Sequence, residues 1–400
     1  MPLPFRQEKP DLPNNKATAL VRLGHLRRCF KKDPIYFSDY KAFMLDIIEN
    51  GEAERVSEGH HQSQGPVWYI PHHGVYHPKK PGKIRVVFDC AAKFKGTCLN
   101  DHLLQGPDQM NTLVGVLCRF RMESIALMCD IERMFHRFLV HKEDRDYLRF
   151  LWWSDGNIEE EPVEYRMKVH LFGAASSPGC AIYGLRYVAN KYKDLSPDAA
   201  SFILGGFYMD DGLISEESAE KSCSLIKGST EICRKGNIRV HKFASNSREV
   251  LESVLASERA KDIMNLNLAL DDLPIERALG IEWCVESDEF CFRVILKEQP
   301  LTRRGILSMI SSVFDPLGFL APFILKGKQI LQELCTNGAD WDQPLPEELH
   351  PKWESWRRNL HDLAKIKIPR CYKPENFGTA VQAELHHFSD ASLSGYGQCS

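Results

Sequence analysis

The sequence predicts a mixed α+β protein, and three observations indicate this class. Two stretches with the apolar period of a helix open the chain, runs of β-type residues follow from Trp68, and helical stretches lie between the later strands. A chain of 400 residues that is 43% hydrophobic and 26% charged has enough apolar side chains for two or three compact units. We therefore expect a globular chain and not a disordered one.

The two opening helices are predicted from their spacing and their ends. The stretch ATALVRLGHLRRCFKKD gives the first helix. The second begins with Asp33 as its N-cap and Pro34 at the first helical position, and Gly51 ends it. Its apolar side chains recur on one face, at Phe37, Tyr40, Met44 and Ile48. A helical N-terminal extension is therefore predicted over residues 1–62.

The strands are predicted from short apolar runs. KIRVVFDCA and SIALMC each give one strand, and YLRFLWWSDGNIEEEPVEYRMKVH gives two strands around a polar turn. Residues 215–235 and 247–265 have helical spacing and lie between later strands. The sequence has no internal repeat and no low-complexity tract, which favours an enzyme-like chain.

The composition argues against several classes of protein. Thirteen cysteines, an odd number without a CxxC pair, argue against a disulfide framework and a structural zinc site, so a reducing compartment is expected. The longest apolar stretch, residues 305–327, is interrupted by Asp315, Pro316 and Pro322. We therefore expect no membrane span. The net charge of −3 does not by itself indicate a nucleic-acid partner.

Two adjacent aspartates lie within the stretch GGFYMDDGLISEE. The apolar run 202–208 leads into Asp210 and Asp211, and Gly212 follows them, so we predict a hairpin with the acidic pair at its turn. A third carboxylate, Asp130, directly follows the apolar strand 125–129. Carboxylates at strand ends can converge on Mg²⁺, which prefers hard oxygen ligands. The alternative is that the Asp-Asp-Gly turn is only a solvated bend.

Seven sequence blocks follow one another from about residue 11 to the end of the chain: LPNNKATALVRLGHL, KIRVVFDCAAKFKGTCLNDHLLQGPDQMN, DIERMFH, FGAASSPG, YMDD, LGIEW and SSVFDPLGFLAP. In these blocks and their order, the chain resembles the reverse transcriptases of BEL/Pao-class LTR retrotransposon polyproteins. The resemblance implies a right-hand polymerase fold with fingers, a palm built on an antiparallel sheet, and a thumb/connection. The implied domains are fingers and palm over 63–285, thumb/connection over 286–385, and a truncated start of an RNase H domain over 386–400.

The resemblance also implies a metal-dependent catalytic centre. Asp130, Asp210 and Asp211 would bind two Mg²⁺ ions, with Mn²⁺ as an alternative ion. The carbonyl of Ile131 would be a further metal ligand. Lys242, in GNIRVHKFASN, would protonate the leaving pyrophosphate as a general acid. The plainer alternative for Lys242 is a solvated lysine on an exposed strand.

Several residues are implied to bind the incoming nucleotide. Lys80 and Arg85, on a fingers hairpin, would bind its triphosphate. Phe135 would lie under the sugar and exclude a 2′-hydroxyl, with core packing as the alternative. The other substrate contacts implied by the blocks are Phe172, Gly173, Tyr208 and Met209. Many retroviral enzymes have a glutamine where this chain has Phe172, so a polar contact to the sugar is missing or replaced.

The remaining expectations concern the primer and the wider function. Gly280 and Trp283 of LGIEW would form the primer grip, with an ordinary core strand as the alternative. The chain would be an RNA-directed DNA polymerase that extends a primer on an RNA or DNA template with deoxynucleoside triphosphates. It would act in the cytoplasm, including virus-like particles, and the parent element would supply the rest of a Gag-Pol polyprotein.

The C-terminal stretch HHFSDASLSGYGQCS resembles the first strand of an RNase H domain, and Asp390 matches that domain's first metal-binding aspartate. The other carboxylates of such a domain are not in the sequence, so we do not expect RNA hydrolysis by this route. The alternative function is a catalytically inactive, retrotransposon-derived relic that retains the fold and at most binds nucleic acid. The intact aspartates of the catalytic centre favour the polymerase.

Overall fold

The computed structural model describes residues 1–56, 66–77, 80–292, 298–373, 377–378, 381–382, 384–393 and 395–399. The helices in this part of the chain are α1 Lys16–Lys32, α2 Pro34–Glu49, α3 Leu99–His102, α4 Leu113–Phe120, α5 Ser177–Lys191, α6 Pro197–Gly205, α7 Ala219–Lys235, α8 Arg248–Glu252, α9 Arg303–Ile310, α10 Ala321–Thr336 and α11 His350–Asn359. The strands are β1 Ala53–Arg55, β2 His72–His77, β3 Lys80–Phe88, β4 Ile125–Ile131, β5 Arg149–Trp152, β6 Val163–Met167, β7 Phe207–Tyr208, β8 Asp211–Glu216, β9 Val240–Ser245, β10 Ile275–Ala278, β11 Ile281–Cys284, β12 Glu289–Cys291, β13 Lys367–Pro369, β14 Phe388–Ser392 and β15 Gly395–Cys399.

The chain divides into two compact units. Unit 1 comprises Met1–Met110, Ile131–Leu195 and Glu231–Arg239. Unit 2 comprises Asn111–Asp130, Ser196–Thr230 and Val240–Ser400. Within the described residues, no helix is both long enough and apolar enough to cross a membrane.

Unit 1 is built around an aromatic core that the two opening helices share with two sheets, the hairpin β2-β3 and the sheet β1-β6-β5. The predicted start of α2 is confirmed, because the Asp33 side chain accepts a hydrogen bond from the Tyr36 amide. The Tyr40 ring stacks on Trp152 with centroids 5.5 Å apart. Its hydroxyl donates to Nδ1 of His72, which in turn donates from Nε2 to the Leu151 carbonyl.

Unit 2 contains two four-stranded sheets, ordered β7-β8-β4-β9 and β10-β11-β12-β13. One hydrophobic core lies between α4 and these sheets, with Phe120, Trp283 and Phe290 fully buried in it. A second core joins α9, α10 and α11 around Trp353 and Trp356. The hairpin β14-β15 contains Asp390, which is exposed.

Two of the predicted elements differ from the structure. Residues 202–204, expected to lead a strand into the acidic pair, belong to helix α6. A helix forms here because its N-terminus is well capped. The Ser196 side chain accepts a hydrogen bond from the Ala199 amide, and Pro197 occupies the first helical position. The helix predicted over 247–265 is α-helical only over Arg248–Glu252, followed by a short 3₁₀ turn. The first predicted helix and the strands predicted at KIRVVFDCA, SIALMC and around the polar turn of residues 147–170 overlap α1, β3, β4, β5 and β6.

Candidate active site

The acidic pair lies on a tight hairpin, as predicted. Tyr208 pairs with Asp211 across β7 and β8, so Met209 and Asp210 form a two-residue turn. Met209 has φ of +56°, a left-handed conformation that disfavours a residue with a Cβ by about 1–2 kcal/mol. Two-residue hairpin turns with positive φ at the first position usually have glycine there. The turn therefore places an aspartate next to a strained backbone position.

The third carboxylate lies on the neighbouring strand. Asp130 of β4 is the direct antiparallel partner of Asp211 of β8. The side chains of directly opposed residues lie on one face of a sheet with Cβ atoms about 4.5–5.5 Å apart, and like charges in this position repel. With Asp210 next in the chain, three carboxylates are gathered at one end of the sheet. This arrangement favours a bound cation or neighbouring basic side chains.

Two basic side chains contact Asp130. Lys242 Nζ donates to Oδ2 over 2.9 Å, and His241 Nε2 lies 3.0 Å from Oδ1. Burial alone would raise the pKa of Asp130, but the hydrogen bonds from His241 and Lys242 outweigh it, and the pKa is lowered from its ordinary value. Asp130 is therefore held as a carboxylate with both of its oxygens engaged.

The sequence analysis missed His241, and the local backbone explains why. Successive side chains of a regular strand point to opposite faces, so Lys242 and His241 would not be expected to reach one carboxylate. Lys242 has φ of +55°, which breaks this alternation within β9. Its position beside Asp130 does not test the general-acid role, which stays a prediction.

Two further side chains, which the sequence did not indicate, bind the backbone just before the acidic turn. Asn111 Nδ2 donates to the carbonyls of Leu204 and Phe207 over 3.0 and 2.8 Å. Arg119 donates to the Gly205 carbonyl. Both side chains therefore fix the connection from the end of α6 into β7. An asparagine before a helix carries no sequence signal for such a role.

Three of the predicted substrate residues meet within unit 1. The Arg85 guanidinium lies over the Phe172 ring, 5.7 Å from its centroid. The Phe172 ring meets the Phe135 ring edge to face, with centroids 4.5 Å apart. Phe135 is only 7% exposed, whereas Phe172 is 44% exposed. Phe172 therefore offers Arg85 a cation–π contact in place of the polar group that a glutamine would provide.

The loop around Gly173 requires glycine. Its φ is +112°, and a Cβ there would lie 2.0 Å from the Phe88 carbonyl oxygen. Asn100 holds this loop by donating from Nδ2 to the Gly173 carbonyl over 2.9 Å and accepting from the Ala175 amide over 2.8 Å. Asn100 belongs to a quoted sequence block, but nothing in its local pattern indicated this contact.

Four further residues were predicted to belong to the site: Lys80, Ile131, Gly280 and Trp283. Ile131 ends β4 with its side chain buried, so only its backbone could bind a ligand. Lys80 begins β3, and its side chain lies outside the described residues. Gly280 forms a turn with Leu279 between β10 and β11. Trp283 is fully buried and donates from Nε1 to Asp288 over 2.9 Å, so any primer contact would come from the hairpin's surface.

The three aspartates have the oxygen ligands that a magnesium site needs, but their side chains are not arranged around a common metal position. Carboxylate oxygens are the ligands that Mg²⁺ prefers, and the register brings Asp130 and Asp211 together. Among the described residues, however, no group of three or more His, Cys, Asp or Glu side chains is arranged to hold a metal ion. Lys242 and His241 already donate to the two oxygens of Asp130, so a metal ion at this carboxylate would compete with two basic side chains.

Comparisons with known proteins find similarity to a retrotransposon domain and to a reverse transcriptase structure. The family described as "Pao retrotransposon-like RNaseH-like domain" matches residues 302–400. A solved structure of the foamy viral protease-reverse transcriptase dRH in complex with double-stranded DNA is similar with a TM-score of 0.52 and 15% sequence identity. The similarity covers 79% of this chain and 46% of that one, so the chain spans about half the length of the viral protein. A search of curated protein sequences finds no match.

These findings confirm the predicted α+β right-hand polymerase fold, because the chain matches a reverse transcriptase structure over most of its length. The matched RNase H-like range starts at residue 302, whereas the sequence prediction starts that domain at residue 386. The predicted domain boundaries stay predictions. The chain has the fold of a reverse transcriptase, and its C-terminal part resembles the RNase H-like domain of Pao retrotransposons.

Proposed function

We propose that the chain is the RNA-directed DNA polymerase of a BEL/Pao-class retrotransposon, which adds deoxynucleotides to a primer by phosphoryl transfer. The observation that supports this function best is the register of β4 and β8, which places Asp130 directly opposite Asp211 with Asp210 beside them. The template-primer, the deoxynucleoside triphosphates, the rest of the Gag-Pol polyprotein and a cytoplasmic location belong to the same proposal. Similarity to a structure solved with double-stranded DNA supports the nucleic-acid partner.

The carboxylates would serve the reaction as follows. Asp130, Asp210 and Asp211 would hold two Mg²⁺ ions, which supply activation of the primer hydroxyl and neutralisation of charge on the leaving pyrophosphate. The primer oxygen forms a bond to the α-phosphorus as the bond to pyrophosphate breaks. Lys242 releases Asp130 in this process and becomes available to protonate the leaving group.

Residues of unit 1 have separate proposed roles. Arg85 would bind the triphosphate, and its contact with Phe172 would limit the orientations of the guanidinium. Phe135, whose ring packs on Phe172, would exclude a ribose 2′-hydroxyl. Gly173 would allow close approach of the backbone to the substrate, because its position has no room for a Cβ.

The test is primer extension with Asp210→Asn, which removes a ligand charge with little change in shape. We expect extension on an RNA template to fall by about 10² to 10³-fold, as it does when a group that stabilises transition-state charge is removed. Binding of template-primer, measured by fluorescence anisotropy, should stay close to that of the parent. Asp262→Asn, a change at an exposed aspartate of unit 2, is the matched control and should extend normally.

A second candidate is a non-catalytic relic that binds nucleic acid. One observation favours it: both oxygens of Asp130 are engaged by basic side chains, and the described residues form no metal-binding cluster. The same experiment separates the two functions. A parent chain that binds template-primer and does not extend it with Mg²⁺ or Mn²⁺ is the relic.

A further inference from the structure

Helix α5 presents an aromatic and basic surface that the proposed polymerase does not use. Tyr183, Tyr187 and Lys191 are four residues apart, so their side chains lie on one face of the helix. We call this face the tyrosine stripe. Each of its two tyrosines is 53% exposed, whereas residues on the opposite face, such as Leu185 and Ala189, are buried. The stripe is therefore the solvent side of a helix that is otherwise anchored in unit 1.

The side chains of the stripe are already stacked on one another. The rings of Tyr183 and Tyr187 lie 6.4 Å apart at 24° to each other. Lys191 Nζ lies over Tyr187, 5.7 Å from its centroid, and 5.5 Å from that of Tyr192. The tyrosines thus hold nearly parallel ring faces next to a positive charge. A ligand with flat rings and negative charges matches both features.

Helix α5 itself has basic side chains and no acidic ones, and Asp194 is the next carboxylate along the chain. Residues 177–193 contain Arg186, Lys191 and Lys193 and no aspartate or glutamate. In the part of the chain that the structure describes, no carboxylate pairs with Lys191. Local positive charge attracts the phosphates of a nucleic-acid backbone, even though the whole chain is slightly acidic.

A groove lies beside the stripe. It has a volume of about 420 Å³ and is lined by the two tyrosines together with Gln109, Arg186 and Asn190. This volume is within the range of sites that bind small flat molecules. The amides of Gln109 and Asn190 can both donate and accept hydrogen bonds, as base edges require.

We propose that the tyrosine stripe and its groove bind single-stranded nucleic acid, with bases stacked on Tyr183 and Tyr187 and the phosphates near Lys191. A duplex hides its base faces within its own stack, so tyrosines at an exposed surface can stack only on unpaired bases. The site is separate from the proposed polymerase function, because it requires neither metal ions nor a nucleoside triphosphate.

The experiment uses the full chain with EDTA, so that metal-dependent chemistry does not contribute. Anisotropy of a fluorescent oligouridylate of about 12 nucleotides reports single-strand binding, and a blunt duplex of the same length reports duplex binding. The double variant Tyr183→Ala/Tyr187→Ala should bind the single strand at least about tenfold more weakly. Its affinity for the duplex should not change.

Two controls keep this test specific. Tyr183→Phe/Tyr187→Phe retains both rings and should bind like the parent, whereas Tyr396→Ala removes an exposed tyrosine from β15 and should have no effect. A 4-thiouridine-labelled oligonucleotide should crosslink to the peptide that contains Tyr183 and Tyr187.

Three results would overturn the proposal: unchanged single-strand affinity in the alanine variant, an equal loss in the phenylalanine variant, or crosslinks confined to other peptides. An alanine variant that loses a dimer in sedimentation, with unchanged oligonucleotide affinity, would show that a second copy of the chain covers the stripe. Primer extension is a separate measurement. Loss of extension in the parent would therefore remove the polymerase proposal and leave this one standing.

Discussion

Two hairpins of unit 2 are closed by two-residue turns whose first residue, Leu279 or Met209, has a positive φ, and they differ in the second residue, which is Gly280 or Asp210. Between β10 and β11 the turn is Leu279-Gly280, with φ of +50° and +96°, and glycine occupies the position with the larger value. Between β7 and β8 the turn is Met209-Asp210, and Met209 itself has a positive φ. Strain in a residue other than glycine is common where a side chain serves a function.

The ion pairs beside the two hairpins also differ in how far their basic side chains are buried. Behind the β10-β11 hairpin, Trp283 donates to Asp288, and Arg370 binds both oxygens of that carboxylate. The Arg370 side chain is fully buried and the Asp288 side chain is 23% exposed, so solvent reaches only the carboxylate of this pair, which we call the closed pair. At the β7-β8 hairpin, Asp130 and Lys242 are partly exposed and can exchange their partners. The two pairs therefore differ in their cations, because Arg370 is shielded by burial whereas Lys242 is accessible to solvent.

The largest effect on stability should come from the closed pair. Arg370→Met leaves the partly buried Asp288 without its main partner and removes donors from the carbonyls of Phe120, Glu123 and Ser124. Breaking a buried pair in this way costs about 3–5 kcal/mol. We expect a correspondingly lower urea midpoint in unfolding followed by tryptophan fluorescence.

Arg304→Met is the matched control for this prediction. Arg304 also binds one aspartate through two nitrogens, at 2.8 and 3.1 Å from Asp342, but both side chains are exposed. Water replaces such contacts, so the midpoint should hardly move. Equal losses in the two variants would contradict the distinction between a closed pair and an exposed one.

The elements of these hairpins show how far the sequence alone could predict the structure. The spacing of apolar residues located β4 and β8, and the order of the blocks indicated that Asp130 and the acidic pair belong together. The register that places Asp130 opposite Asp211 depends on pairing between distant segments, which no local pattern specifies. The helix α6 was mistaken for a strand because a short apolar run fits either structure.

The supporting contacts were not predictable for the same physical reason. These contacts join residues that are distant in the sequence. Asn100 and Asn111 bind carbonyls 73 and 96 positions away, and His241 binds Asp130 111 positions away. Polar residues of these types occur on most protein surfaces, so their identity carries little information. The positive φ of Lys242, which brings two neighbouring side chains to one carboxylate, is equally invisible in the sequence.

The two turns give a prediction of intermediate size. Gly280→Ala places a Cβ 2.8 Å from the Phe314 ring at a φ of +96°, and we expect a loss of about 1–3 kcal/mol in the free energy of unfolding. Met209→Gly relieves a left-handed methionine, and this gain offsets the greater entropy of glycine in the unfolded chain. Its stability should therefore match or slightly exceed that of the parent.

Urea titration of both variants beside the parent measures this difference. Met209→Ala serves as the control, because it shortens the side chain and keeps the left-handed strain. A glycine variant that is less stable than the alanine variant would show that the left-handed backbone of Met209 costs no stability.

The smallest expected effect is a change in the pH dependence of stability in Lys242→Met. The folded pKa of Asp130 lies below its unfolded value, with hydrogen bonds from His241 and Lys242 overcoming the opposing effect of burial. A lowered carboxyl pKa stabilises the fold at pH values above the unfolded pKa of about 3.9, and the contribution is lost as the pH falls through the folded value. Removing the lysine raises the folded pKa towards the unfolded one. The variant should therefore be less stable than the parent at pH 6, and the gap should narrow towards pH 3.

The control for this prediction is Lys221→Met, which removes an exposed lysine that pairs with Glu217 on the surface. Solvent screens that pair, so its variant should follow the parent's pH profile more closely than Lys242→Met does. Unfolding midpoints at pH 6, 5, 4 and 3 for the three chains supply the measurement. Because Lys242 is half exposed, the shift should be small, but it should have this sign and this pH window. A constant gap between Lys242→Met and the parent at every pH would mean that Lys242 does not control the charge of Asp130.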